Sequence, residues 1–393
     1  MDPPIPQPNL SFCPVTVSML SHSLNNNSRA NLVSVLVLGL VSAVGIAENA
    51  LVLFVVGFRV RRTVSAVWVV NLALSDFLAT LTLPLFTVYL YSSHSWELGW
   101  PLCVAQSSVF FLNMFVSSFL LAAISLDRWL LVCRPVWSQN RRSVPAAWAV
   151  CALGWAWAAL NALPYAVFRD VMPKADGRHL CYHNFALHPT GAGLEQDCRA
   201  RQVATAISKA LLAFALPLAV IVGSYAGFAR SLRRRERARA RRGSTSGGRT
   251  VSRQFSRMVA SVITAFALCW APYHLFCLLE VVAASWPPGV PVVEVGLPLA
   301  SFFSFLSPIL NPVLYAFSCP DFCARIRQSL GALLEGLLEE EGSGGGGGRS
   351  GGPASRSALP TCSPPTSPRP HTSSTTAKPQ TEREQLLFCY PRL

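Results

Sequence analysis

Lysine is almost missing from this chain: of its 33 basic residues only Lys174, Lys209 and Lys378 are lysines. Charge as a whole is scarce, at 13% of residues against 51% hydrophobic, which leaves too little polar surface for several soluble domains in 393 residues. Within the apolar runs there is no HExxH or GxSxG pattern and no pair of aspartates, so neither a metalloprotease nor a serine-hydrolase site is available inside a membrane. No CxxC pair suggests zinc or redox chemistry. The visible internal repeat of an inverted-repeat transporter is also missing. The first thirty residues lack a basic start, apolar stretch and small-residue cleavage site, so the first span is expected to target itself.

What the chain has is long apolar runs. Leu32 to Phe58, Val104 to Leu126 and Val203 to Ala229 are each long enough for the ~20 residues that cross a bilayer. Hydropathy gives seven spans, at 32–58, 64–91, 102–132, 144–167, 202–231, 254–284 and 294–317. The expected fold is therefore all-α, a seven-transmembrane helix bundle. Its net charge of +14 need not mean nucleic acid, because the arginines flank the spans. Arg59, Arg61 and Arg62 follow the first span, Arg134, Arg141 and Arg142 the third, and the run from Arg230 to Arg257 the fifth. The positive-inside rule makes these connections cytoplasmic and the N-terminus extracellular, as in a multi-pass plasma-membrane protein. The sequons at Asn9 and Asn26 then lie where glycosylation can reach them.

This topology gives an extracellular N-terminus over 1–31 and a bundle over 32–318. An amphipathic membrane-surface helix over 319–334 follows, with Phe322, Ile326, Leu330 and Leu333 on one side and Cys319 and Cys323 as candidate acylation sites. Over 335–393 the glycine, serine and proline content predicts a disordered cytoplasmic tail. The 12 cysteines divide by place. Cys133, Cys151, Cys269 and Cys277 fall in or beside apolar runs as small core residues. Cys13, Cys103, Cys181 and Cys198 fall in outer connections, where disulfides persist; spacing leaves three pairings open.

Each ionisable group inside a span costs about 2.5–3.5 kcal/mol or more and so calls for a reason. Glu48 with Asn49, Asp76, Asn113 with Ser117, and Asn311 are such positions, readable as glue between helices or as a cation or proton site around Asp76. Lys209 is the one lysine within a span, and at about 1.5 Å per residue it stands roughly 12 Å below Arg201. Tyr273 falls at similar depth, with Phe276 and Glu280 on its face, and Arg169 marks the rim. Phe110, Phe111, Phe302, Phe303 and Phe305 can supply apolar walls. The Lys209 ammonium needs an anion: either Glu280 provides it, or the carboxylate of a lipid acid does. No aspartate near Phe110 is available to hold an amine.

Asn49, Asp76, Asp127-Arg128, Trp155, Pro217 with Tyr225, Trp270 with Pro272, and Asn311-Pro312 with Tyr315 stand in this order on the spans. The set resembles the rhodopsin-like family of G-protein-coupled receptors. That resemblance implies an activation switch of Asp127, Arg128, Tyr225, Phe266, Trp270, Pro272, Asn311 and Tyr315, and a sodium site at Asp76, Asn113 and Ser117. It also implies a disulfide between Cys103 and Cys181. Trp129 departs from the usual tyrosine, and Pro308 from the usual polar surroundings of the sodium site.

A second set is similar to the chemoattractant-type prostaglandin receptors: His94-Ser95-Trp96-Glu97-Leu98-Gly99, Phe111-Leu112-Asn113-Met114-Phe115, Arg134-Pro135-Val136-Trp137, Cys181-Tyr182, Ser208-Lys209 and Pro272-Tyr273-His274. This resemblance implies a lipid carboxylic acid as ligand, prostaglandin D2 first, with its carboxylate on Arg169, Lys209 and Tyr273. Phe110, Tyr182 and Glu280 would line the site. Gln106 and His183 depart from the family pattern at its polar end. A second disulfide, Cys13–Cys198, is implied as the tether of an N-terminal lid. No cofactor is implied; the partners are an inhibitory-class G protein, with arrestin and a receptor kinase acting through the tail. A peptide chemoattractant receptor of the same fold and an organic-anion transporter are the competing readings.

Overall fold

A computed structural model describes residues 12–21, 28–191, 193–240, 248–283 and 286–318. The chain divides into two units, Met1–Ser318 and Cys319–Leu393. The second, with its expected surface helix, tail and acylation cysteines, lies outside the described residues, as do Asn9 and Asn26.

Among the described residues seven helices are long and apolar enough to cross a membrane: Asn31–Arg59, Val64–Tyr91, Gly99–Cys133, Val144–Val167, Leu194–Arg234, Ser261–Ala283 and Val290–Leu314. In chain order the helices are α1 (Pro14–Ser21), α2 (Ser28–Phe54, continued by a π-turn Val55–Arg59), α3 (Val64–Tyr91), α4 (Gly99–Cys133), α5 (Pro135–Arg141) and α6 (Val144–Val167). After a hairpin of β1 (Arg169–Pro173) and β2 (His179–His183) come α7 (Leu194–Ser208), a π-turn (Lys209–Ala215), α8 (Leu216–Ala240), α9 (Gly248–Ala283), α10 (Val290–Phe305) and α11 (Ser307–Ser318).

Large apolar side chains such as Leu36, Leu153, Leu160 and Leu268 are exposed on the bundle surface, while Leu72, Leu83, Phe115 and Leu120 are buried inside. A helix apolar all round is suited to lipid on one side and protein on the other. Helix starts follow local chemistry: Thr63 and Ser143 cap α3 and α6 by accepting from the amides of Ala66 and Ala146 at 3.2 and 3.3 Å. The fifth spanning helix begins at Leu194 rather than 202. Its first turns are polar and carry Glu195 and Asp197, which suit a helix N-terminus but carry no hydropathy signal. The third begins at Gly99 rather than 102 and the seventh at Val290 rather than 294.

Small residues let helices approach. A methyl on Gly154 would run into the Phe119 ring, and one on Gly227 into the Trp129 indole. The second contact gives Trp129 a place: α8 offers bare backbone where the larger ring lies. Between α10 and α11 the helix breaks at Leu306, because Pro308 has no N–H to return to Ser304. The carbonyl of Pro308 instead accepts from Asn49 at 3.0 Å.

One end of the bundle carries the antiparallel hairpin, with Val171 opposite Cys181 and Arg169 opposite His183, turning at Gly177 with φ +84°. Cys103–Cys181 ties β2 to α4, and Cys13–Cys198 ties the start of α1 to α7. The amide of Ala175 donates to the Leu20 carbonyl at 2.9 Å, so α1 also rests on the hairpin. Composition and hydropathy had marked neither the hairpin nor α1.

Candidate functional site

A cavity of about 220 Å³ opens at the hairpin end. Lys209 reaches it from the first residue of the π-turn, where one extra residue per turn re-aims the side chains that follow. It is 4% exposed. Its Nζ donates to Cys277 Sγ at 3.2 Å and stands 5.3, 5.5 and 5.6 Å from the ring centres of Tyr165, Tyr273 and Phe111. Among the described residues no carboxylate oxygen lies within 4.0 Å of it. The Lys209–Glu280 ion pair allowed by the sequence is therefore not formed. Glu280, also buried, accepts from the Tyr182 hydroxyl at 2.8 Å.

Arg169 lines the same cavity, its guanidinium 5.9 Å from the Tyr182 ring centre and its buried Nε without a partner among the described residues. Burial and the nearby Glu280 carboxylate push the Tyr182 hydroxyl well above the usual tyrosine range, which keeps it a donor. His183, 6% exposed, is driven well below the usual histidine range by burial and by Arg169 and Lys209. It is a neutral ring whose Nδ1 has no partner among the described residues, stacked on Phe185. Gln106 and Tyr273 also face the cavity and are buried.

Phe110 forms the apolar floor, edge-on to Tyr273 and Phe305 at 5.5 and 5.2 Å and 6.3 Å from Trp270. Two expected wall residues, Phe302 and Phe303, do not line the cavity, and Phe276, expected on the face of Tyr273, does not line it either. Phe303 is 41% exposed on the outer surface, and Phe276 packs against Gly296, so Cys277, one position further on, faces Lys209. Cys277 is one site residue the sequence reading missed: in an apolar run it looked like core filling, and only its position four residues after Tyr273 could have placed it inward. Lys174, also missed, lines the mouth and pairs with Glu294 at 3.2 Å.

Below the floor, Asp76 is fully buried. One of its oxygens accepts from Asn113 and Ser117 at 3.0 and 3.1 Å, the other from Asn311 at 2.8 Å. Asn113 also donates to Ser75 at 2.9 Å. For a sodium ion this set offers the Asp76 carboxylate and the hydroxyls of Ser75 and Ser117, with amide donors of Asn113 and Asn311 already on both carboxylate oxygens. Glu48 is not among these partners, and Asn49 bonds the carbonyls of Gly45 and Pro308.

At the arginine-rich end Asp127 is paired with Arg142. The Asp127 carboxylate accepts from both Nε and Nη2 of Arg142, at 2.8 and 3.1 Å, a two-pronged charge-assisted geometry. Arg128 donates to Ser65 at 3.5 Å. Tyr225, Phe266 and Trp270 are buried between the helices, with Phe266 stacked on Phe214 at 5.8 Å, and Pro272 lies within α9. The side chain of Tyr315 lies outside the described residues.

A bundle of this form, with a polar centre and a cavity at one end, is that of a membrane receptor. Residues 48–315 match the family described as 7 transmembrane receptor (rhodopsin family), and the chain belongs to that family. It is 48% identical over 335 residues to prostaglandin D2 receptor 2 of Mus musculus, covering 84% of each chain. To the Rattus norvegicus receptor of that name it is 47% identical, covering 84% of this chain and 80% of the relative. Chemerin-like receptor 1 of Homo sapiens is more distant, at 32% over 314 residues, 78% of this chain and 80% of the relative.

Proposed function

We propose that this receptor stands in the plasma membrane with the hairpin end outside and binds a lipid carboxylic acid, prostaglandin D2 foremost. The observation that carries the reading is the buried Lys209 ammonium, facing an aromatic cavity with no protein carboxylate within 4.0 Å among the described residues. An arriving carboxylate would take Lys209, Arg169 and Tyr273 as partners, while Phe110 and Phe305 bury its hydrocarbon. Gln106, Tyr182, His183 and Glu280 would shape the polar end. The name shared by the two rodent relatives supports prostaglandin D2.

In this account the ligand favours a state in which α9 turns about Pro272, since Phe110 links the cavity to Trp270. The opposite end then opens around Arg128, Tyr225 and Tyr315 for an inhibitory-class G protein. Receptor kinase and arrestin would act later on the tail. Sodium at Asp76, Asn113 and Ser117 would favour the resting state. Cys13–Cys198 would hold α1 as a lid.

The test is a displacement panel on membranes of expressing cells, with tritiated prostaglandin D2 as tracer and lipid acids, their amides and chemoattractant peptides as competitors, followed by nucleotide exchange on purified inhibitory G protein. Acids should compete and stimulate exchange, and amides and peptides should not. Competition by peptides alone would contradict the reading, as would ligand uptake into vesicles without exchange.

A further inference from the structure

The partner that Lys209 has inside the cavity is a thiol. Cys277 is 2% exposed, lines the cavity and lies 3.2 Å from the ammonium, so a molecule reaches its sulfur only by occupying that space. Two further groups in the same space point to a ligand: the Nδ1 of buried His183 and the Nε of Arg169 have no partner among the described residues. A lysine beside a cysteine stabilises the thiolate as it forms, and the lysine is also the charge an acid would seek.

We propose that Cys277 is a covalent attachment site for an amphipathic acid whose carboxylate sits on an electrophilic alkene, a class represented by (E)-4-oxo-2-alkenoic acids. The inference rests on the acid-pocket reading above. With the carboxylate on Lys209, the carbon bearing it lies next to Sγ. The sulfur adds to that carbon, the alkene electron pair moves toward the ketone, and a proton ends on the neighbouring carbon. Lys209 supplies that proton and takes the thiol proton in return. One S–C bond forms, the alkene becomes a single bond and no group leaves, so neither oxidant nor reductant is needed.

The experiment treats purified full-length receptor with (E)-4-oxo-2-dodecenoic acid and maps the modified peptide by mass spectrometry. The expected result is one added equivalent on the peptide holding Cys277, slowed by more than about tenfold when the methyl ester replaces the acid, because the ester loses the orienting ion pair. Excess saturated 4-oxododecanoic acid should protect the thiol, and Cys277→Ser, checked for folding by its melting temperature, should lose the adduct. A free Cys277 under conditions where the saturated acid displaces tritiated prostaglandin D2 would overturn the inference and leave the acid pocket standing. Equal rates for acid and ester would overturn the part given to Lys209. Failure of the saturated acid to displace the tracer would overturn the acid pocket and this inference together.

Discussion

Lys209 and His183 face one cavity with opposite needs. The lysine donates to Cys277 among aromatic faces, whereas the histidine, under the influence of Arg169 and Lys209, stays neutral. Because its folded-state pKa is depressed, the stability tied to the neutral ring is fully present above the ordinary histidine value of about 6.5 and is lost as pH falls below it. His94 is shifted the same way by burial, with Arg178 and Lys174 nearby. The melting temperature of the receptor in detergent should therefore drop between pH 7.5 and 5.5, and His183→Phe should make that drop smaller. An unchanged drop in the variant would contradict the assignment. Lys209 was legible from the sequence because a lone cation in an apolar run has few bland explanations. Cys277 was not, since a thiol in such a run looks like any small apolar residue.

At the scale of the elements, the spans were legible because an apolar run must be helical in lipid, where no water serves the backbone. The hairpin was not, because Arg169–Pro173 and His179–His183 are short, mixed in polarity and fixed by Cys103–Cys181 and the α4 end rather than by their own pattern. The π-turn at Lys209 leaves no compositional mark. Helix contacts make a prediction of their own: Gly227→Ala forces a methyl into the Trp129 ring and should lower stability by about 1–3 kcal/mol. Pairing it with Trp129→Tyr, which makes room, should recover part of that loss; simple additivity in a thermal-melt cycle would show that the two do not touch. Cys13→Ser should speed ligand dissociation by freeing α1 from α7, and an unchanged off-rate would show that the tether does not hold the ligand in.

For the whole molecule, the two ends of the bundle are specialised differently. One end holds the cavity, its cations and both disulfides; the other holds the Asp127–Arg142 clasp, with the Asp76 cluster between them. The ordered motifs made the family legible, but they could not show that Asp127 takes Arg142, since that bond depends on where the α4–α6 connection folds back. The central claim is that a buried protein cation waits for a carboxylate from outside. It is tested most directly by equilibrium binding of tritiated prostaglandin D2 to wild type, Lys209→Ala and Arg169→Ala at matched surface expression, with the methyl ester as a competitor on wild type. The account predicts that each variant loses more than about tenfold in affinity, about 1.4 kcal/mol, and that the ester competes as weakly as the acid does on Lys209→Ala. Undiminished affinity in both variants, with the ester binding as well as the acid, would contradict it.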